Sequence, residues 1–128
     1  MVGRPAVAAW LNAYVSAWKS YDPQAIGNLF SEDAVYALGT FGPPTQGCDA
    51  IVASWLREPD PPGTYDATYE PIAVEEDRAV THGRTHYFEP DGATLKAEYD
   101  NIFVLRFDAD GRCTEFREWF LEVPQDKT

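Results

Sequence analysis

The hydrophobic period of this chain changes once, near Thr64, from the ~3.6 residues of a helix to the two of a strand. Before the switch, Val7, Trp10, Leu11, Tyr14, Val15 and Trp18 recur at helical spacing and predict a helix from about Pro5 to Ser20. Asp22-Pro23 supplies a cap and a first-turn proline for a short second helix, with Ile26, Leu29 and Phe30 as its buried side. Ser31-Glu32-Asp33 is expected to end it, and Ala34 to Leu38 reads as a short strand. Gly39 to Gly47, containing Pro43-Pro44, reads as a loop. Asp49 is expected to cap a third helix with Ile51, Val52, Trp55 and Leu56 on its apolar side, which Pro59, Pro61, Pro62 and Gly63 stop.

After the switch, Tyr65, Ala67 and Tyr69 alternate with Asp66, Thr68 and Glu70. Arg78 to Glu89, Lys96 to Phe107 and Cys113 to Val123 read as three more strands. They are joined by turns at Pro90-Asp91-Gly92 and Asp110-Gly111. Helices followed by an antiparallel meander predict one α+β domain over residues 1–128, with helices covering one side of a curved sheet.

Charge then narrows the function. Twenty-one acidic residues against ten basic ones leave a net charge of −11, which repels phosphate backbones and anionic lipid heads. Neither a nucleic-acid nor a membrane partner is expected. Met1 to Trp10 lacks the pattern of a secretory signal, and two separated cysteines, Cys48 and Cys113, make no disulfide framework, so the expected location is cytoplasmic. Aromatic residues reach 14%, enough to line a cavity as well as fill a core. Phosphate loops, nucleophile elbows and zinc motifs are absent from the sequence, so the expectation is acid–base chemistry with no metal or other cofactor.

Strand parity picks out the candidate groups. Phe116, Glu118 and Phe120 share one side of the last strand, and a carboxylate flanked by two phenylalanines is costly to bury unless paired or protonated. Glu118 is therefore either a rim carboxylate reaching solvent or an acid or base inside a pocket. His82, Arg84 and His86 share one side of their strand, as either a surface ladder facing acidic neighbours or a charge that holds an anionic intermediate. Asn101 and Phe103 share one side of the third long strand, where a satisfied core amide is the commoner role for Asn101. Tyr14 and Tyr36 are core tyrosines or hydrogen-bond donors to a ligand.

The stretches Tyr14 to Trp18, Tyr21-Asp22-Pro23, Leu29 to Tyr36 and Gly47 to Ile51 resemble the opening of the nuclear transport factor 2-like superfamily. Tyr99 to Asn101, Leu105 to Arg112 and Phe116 to Phe120 resemble its SnoaL-like branch. The resemblance implies a cone of three N-terminal helices packed on a strongly curved, mainly antiparallel sheet, enclosing a cavity, with homodimers through the outer sheet side. The superfamily includes ketosteroid isomerases, polyketide cyclases and limonene epoxide hydrolases. Matched to a ketosteroid isomerase, Tyr14 falls on the oxyanion-hole tyrosine, but Leu38 and Phe103 stand where its two carboxyl groups belong. Matched to a limonene epoxide hydrolase, Tyr36, Arg84 and Glu118 correspond, while His86 replaces an acid and Leu38 an asparagine.

Three readings follow. In the first, an enzyme of isomerase, cyclase or hydrolase type processes a small apolar or aromatic molecule. Its catalytic set is Glu118, His86, Arg84, Tyr14 and Tyr36, with Glu118 expected to face Arg84 and His86. Trp18, Leu38, Phe41, Trp55, Asn101, Phe103, Phe116 and Phe120 are the expected ligand-binding residues. The second reading is a ligand-binding protein without catalysis. The third is an interaction module that buries Ile102, Val104, Trp119 and Leu121 in a dimer.

Overall fold

The computed structural model describes residues 2–125; Met1 and residues 126–128 of the expected 1–128 domain lie outside it. Helix α1 spans Arg4–Ser20 and buries Val7, Trp10, Leu11 and Tyr14 of the expected stripe together with Ala17, while Val15 and Trp18 are half-buried. It ends where Tyr21 turns left-handed at φ 51° and donates its N–H to Ala17 O at 2.8 Å. Helix α2, Pro23–Gly27, starts as expected on Asp22, whose carboxylate accepts from the Gln24 N–H. Strand β1 runs Phe30–Leu38, so Ser31-Glu32-Asp33 belong to a strand and do not close the second helix. Phe30 is fully buried and pairs with Cys113, and the Cys113 N–H donates to Leu29 O, so sheet pairing captures the chain early.

The expected loop holds a two-residue strand β2, Thr45–Gln46, paired with β1. Helix α3 is Cys48–Arg57, and Gly47, not Asp49, occupies its cap. Gly47 has φ 97°, a conformation open to glycine, which lets its N–H reach Ala34 O while its carbonyl accepts from Ile51. Four long strands follow as expected, β3 Tyr65–Glu75, β4 Arg78–Phe88, β5 Leu95–Phe107 and β6 Cys113–Glu122.

The six strands make one sheet in the order β2-β1-β6-β5-β4-β3. Among the described residues only the β1–β6 pair is parallel. This mostly antiparallel sheet with three helices is the expected α+β cone. Among the described residues, no helix is long and apolar enough to cross a membrane.

Parity sorts the sheet into two sides. Ala79, Thr81, Gly83 and Thr85 of β4 are buried, together with Asn101, Phe103 and Leu105 of β5 and Phe116 of β6. His82, Arg84 and His86 alternate with them and lie on the opposite side. At Gly83, β4 and the edge strand β3 come unusually close: a Cβ built there would lie 2.1 Å from Thr68 O and 2.7 Å from Tyr69 Cα. Those are backbone atoms, so no side-chain rotation relieves the clash. Only a residue without a Cβ lets Tyr69 lie across β4 and turn into the molecule. Gly83→Ala is expected to destabilise the fold by about 3 kcal/mol or more, the upper end for overpacking, read from urea denaturation at constant m-value.

Candidate active site

A cavity of about 460 Å³ opens on the buried side of the sheet, within the size range of small-molecule sites. Of the expected residues, Tyr14, Tyr36, Trp18, Trp55, Asn101, Glu118 and Phe120 line it. Glu118 projects from β6 beside Phe120, and Phe116, two residues earlier on the same side, is completely buried beneath.

One Glu118 oxygen is held. Asn101 Nδ2 donates to Glu118 Oε2 at 2.7 Å. This fixes the carboxamide orientation, because a carboxylate needs a donor, and it turns Asn101 Oδ1 toward Thr85 Oγ1 at 2.9 Å. Thr85 must then spend its single proton on Asn101, so the Tyr69 hydroxyl, 2.7 Å from Thr85 Oγ1, is the donor of that contact. The result is a one-way chain of protons, Tyr69 to Thr85 to Asn101 to Glu118. Oε1 of Glu118 has no hydrogen-bond partner among the described residues.

Burial raises the Glu118 carboxyl above its ordinary range, and the Asn101 hydrogen bond offsets part of that rise. Across the cavity, the Tyr14 and Tyr36 hydroxyls are 3.3 Å apart. Burial pushes both phenols up, Tyr14 next through the neighbouring Tyr36 and both through the Glu118 charge, so they remain neutral hydrogen-bond donors. The combination can hold a proton on a carboxyl group and offer hydroxyls to an oxygen that gains negative charge.

The expectation that Glu118 faces Arg84 and His86 is corrected. Both basic groups lie on the other side of the sheet, as strand parity requires. There Arg84 donates to Asp100 and Glu98 at 2.9 Å, His86 contacts Asp66 and Glu98 at 3.2 Å, and His82 meets Asp100 at 2.6 Å. The ladder reading holds for all three, and water screens such exposed pairs so that they add little to stability.

Four ligand-binding expectations also change. Phe103 and Phe116 are buried in the core, in contact with each other and with Tyr14, and do not line the cavity. Leu38 and Phe41 are exposed, Phe41 by 72%, because β1 ends at the sheet margin and the next segment turns outward at Gly39. Tyr69, Thr85, Tyr87 and Tyr99 line the cavity without having been expected. Their signal was present in the alternation: Thr85 and Tyr87 sit between and beside the charged residues that drew notice on β4.

Close to the cavity, Asp60 accepts from Trp18 Nε1 at 3.1 Å and from the Tyr21 hydroxyl at 3.3 Å, and Tyr65 donates to Trp18 O at 2.8 Å. Among the described residues no cluster of three His, Cys, Asp or Glu side chains is placed to hold a metal ion.

The sign of the Glu118 shift makes a stability prediction. A carboxyl raised in the folded state favours folding fully below its unfolded value, and that contribution is lost as pH rises through the folded value. Glu118→Gln removes the charge, so it is expected to raise the Tm at pH 7 to 8 relative to the parent. The gain should shrink as pH falls toward the ordinary glutamate value of about 4.3, as measured by thermal denaturation across pH.

Comparison with known proteins agrees with this architecture. Among curated proteins, none matches the sequence. Solved structures of similar fold include a ketosteroid isomerase-like protein from Erwinia carotovora atroseptica, 22% identical, covering 95% of this chain and 97% of that one, with a TM-score of 0.63. An LEH-like epoxide hydrolase of Mycobacterium tuberculosis is 16% identical over 92% of this chain and 84% of that one, with a TM-score of 0.67. RV0760c of the same organism, in complex with estradiol-17beta-hemisuccinate, is 19% identical over 91% of this chain and 93% of its own, with a TM-score of 0.68. The SnoaL-like domain profile matches residues 11–116, most of the chain and nearly every element described above, and the chain belongs to the SnoaL-like family.

Proposed function

We propose that this protein is an acid–base enzyme of isomerase or cyclase type, which moves a proton on a small carbonyl compound bound in the cavity. The observation that carries it is the Glu118 carboxyl lining a 460 Å³ cavity, held through one oxygen by Asn101 and free at the other. Glu118 Oε1 takes a proton from the carbon beside a carbonyl group. The electron pair of that C–H bond becomes the carbon–carbon double bond of the enolate, and the carbonyl π pair moves to the oxygen, which accepts a hydrogen bond from the Tyr14–Tyr36 pair. The proton returns from Oε1 to the same or a neighbouring carbon. Asn101, with Thr85 and Tyr69 behind it, positions the carboxyl group, while Trp18, Trp55 and Phe120 shape the space around the ligand.

The isomerase-like and hydrolase-like neighbours, and the steroid ester bound by one of them, support a small-molecule occupant. The finer picture of the fold belongs to the same reading: three helices packed on a strongly curved sheet. Ring contacts from Trp10 and Tyr14 of α1 and Trp55 of α3 onto Phe30 and Phe116 support it. Homodimerisation through the outer sheet side is likewise supported by Trp119 and Leu121, exposed by 41% and 74%.

A second reading is binding without turnover, which the apolar Leu38 and Phe103 favour at the two positions where a ketosteroid isomerase carries carboxyl groups. Proton exchange separates the two. Enolisable cyclic ketones incubated in deuterated water with the protein are expected to gain deuterium beside the carbonyl. Glu118→Gln should slow that exchange on the order of 10²–10⁴-fold, the usual contribution of a positioned acid or base. Ketones that bind but exchange no faster than in buffer would establish the binding reading instead.

A further inference from the structure

We propose that the ligand of this cavity carries a positive charge, as a protonated amine or quaternary ammonium group on a flat or ring-bearing body. The proposal rests on the cavity being the ligand site, and goes beyond the acid–base reading by naming the ligand's charge. Nine of the fourteen lining residues are aromatic, and the charged ones among them are Glu58 and Glu118, with no lysine or arginine. Aromatic rings present negative faces to a cation within about 6 Å, an attraction that grows when water is excluded. Asp60 adds a third carboxylate behind the wall, bonded to Trp18 and Tyr21.

Helix α3 contributes a separate effect. Ser54, Trp55 and Glu58 place its C-terminal end at the cavity, and the unpaired carbonyls of a helix C-terminus favour cations. Arg57 in that last turn is exposed and does not line the cavity. A neutral ligand that covers Glu118 drives the carboxyl group toward its protonated form, whereas a cation supplies a counter-charge to the carboxylate. An anion would meet repulsion from Glu58, Glu118 and a chain of net charge −11. Lys96 borders a separate hollow of about 340 Å³ that shares Tyr87 and Tyr99 with the cavity.

The test uses three probes of similar shape, 2-phenylethylamine, 2-phenylethanol and phenylacetate, titrated calorimetrically at neutral pH and low salt. The amine is expected to bind on the order of tenfold tighter than the alcohol, and the acid most weakly. Glu58→Gln should lower the amine-to-alcohol ratio several-fold. Ser54→Arg, which places a positive charge among the lining residues while barely changing the net charge of −11, should abolish binding of the amine. Amine binding that survives Ser54→Arg is adsorption to the acidic surface and overturns the proposal. An alcohol that binds as well as the amine, or an acid that binds best, overturns the charge assignment and leaves the cavity reading standing. If no probe binds, both fail.

Discussion

Phe116 stacks against two tyrosine rings, and these contacts hold the site together. Its ring is parallel to Tyr36 at a centroid distance of 4.4 Å and an angle of 3°, and nearly parallel to Tyr14 at 5.5 Å and 11°. Offset stacking of this kind adds about 0.5–1.5 kcal/mol per pair beyond the burial of the ring itself. Tyr14 comes from α1, Phe116 from β6 and Tyr36 from β1, so three elements distant in sequence meet through one buried side chain. The stack also sets the two phenol hydroxyls side by side. Because strand parity repeats every two residues, placing Phe116 in the core places Glu118 on the same side, one step nearer the cavity.

Much of this was legible in the chain. The helical stripe of α1 and the alternation of β3 to β6 follow from burial alone; they located α1 and β4 to β6 to within a residue or two, while β3 runs on past Glu70 to Glu75. Parity also put Glu118, Asn101, Phe116 and Phe120 on the right side of the sheet. Pairing between sequence-distant segments was not legible. Parity sets which residues of one strand share a side but does not say which side of its neighbour they join. Arg84 and His86 were therefore drawn toward Glu118, when the sheet turns them to Asp100, Glu98 and Asp66. Tyr69 was hidden for a related reason. Its entry into the molecule depends on how close β3 approaches β4 at Gly83, a tertiary fact that a single glycine in a strand only hints at.

The position of the carboxyl group also bears on how this cavity relates to others of its fold. In the sheet, Glu118 lies beside Leu38 of β1 and Phe103 of β5, with which it is in register. Those two residues stand where the resemblance to a ketosteroid isomerase would place its acids. Here a single carboxyl group occupies the strand between them, with an apolar neighbour on each side. In the proposed reaction Glu118 both removes and returns the proton, with no acid at either of those two positions to stabilise the intermediate. The neutral tyrosine pair is the remaining group suited to that stabilising part.

The hydrogen bond from Asn101 to Oε2 has a geometric consequence of its own. The carboxamide must keep its oxygen toward Thr85, so it offers Oε2 a donor whether Glu118 is charged or neutral, and the acidic hydrogen can reside only on Oε1. A carboxyl group pinned in this way cannot exchange its two oxygens by rotation without breaking the chain back to Tyr69. In the proposed reaction, departure and return of the hydrogen would therefore use one atom at one place in the wall. Both events would then fall on a single face of a flat molecule lying against it, and the handedness of any new stereocentre would follow from which face the aromatic walls turn toward β6.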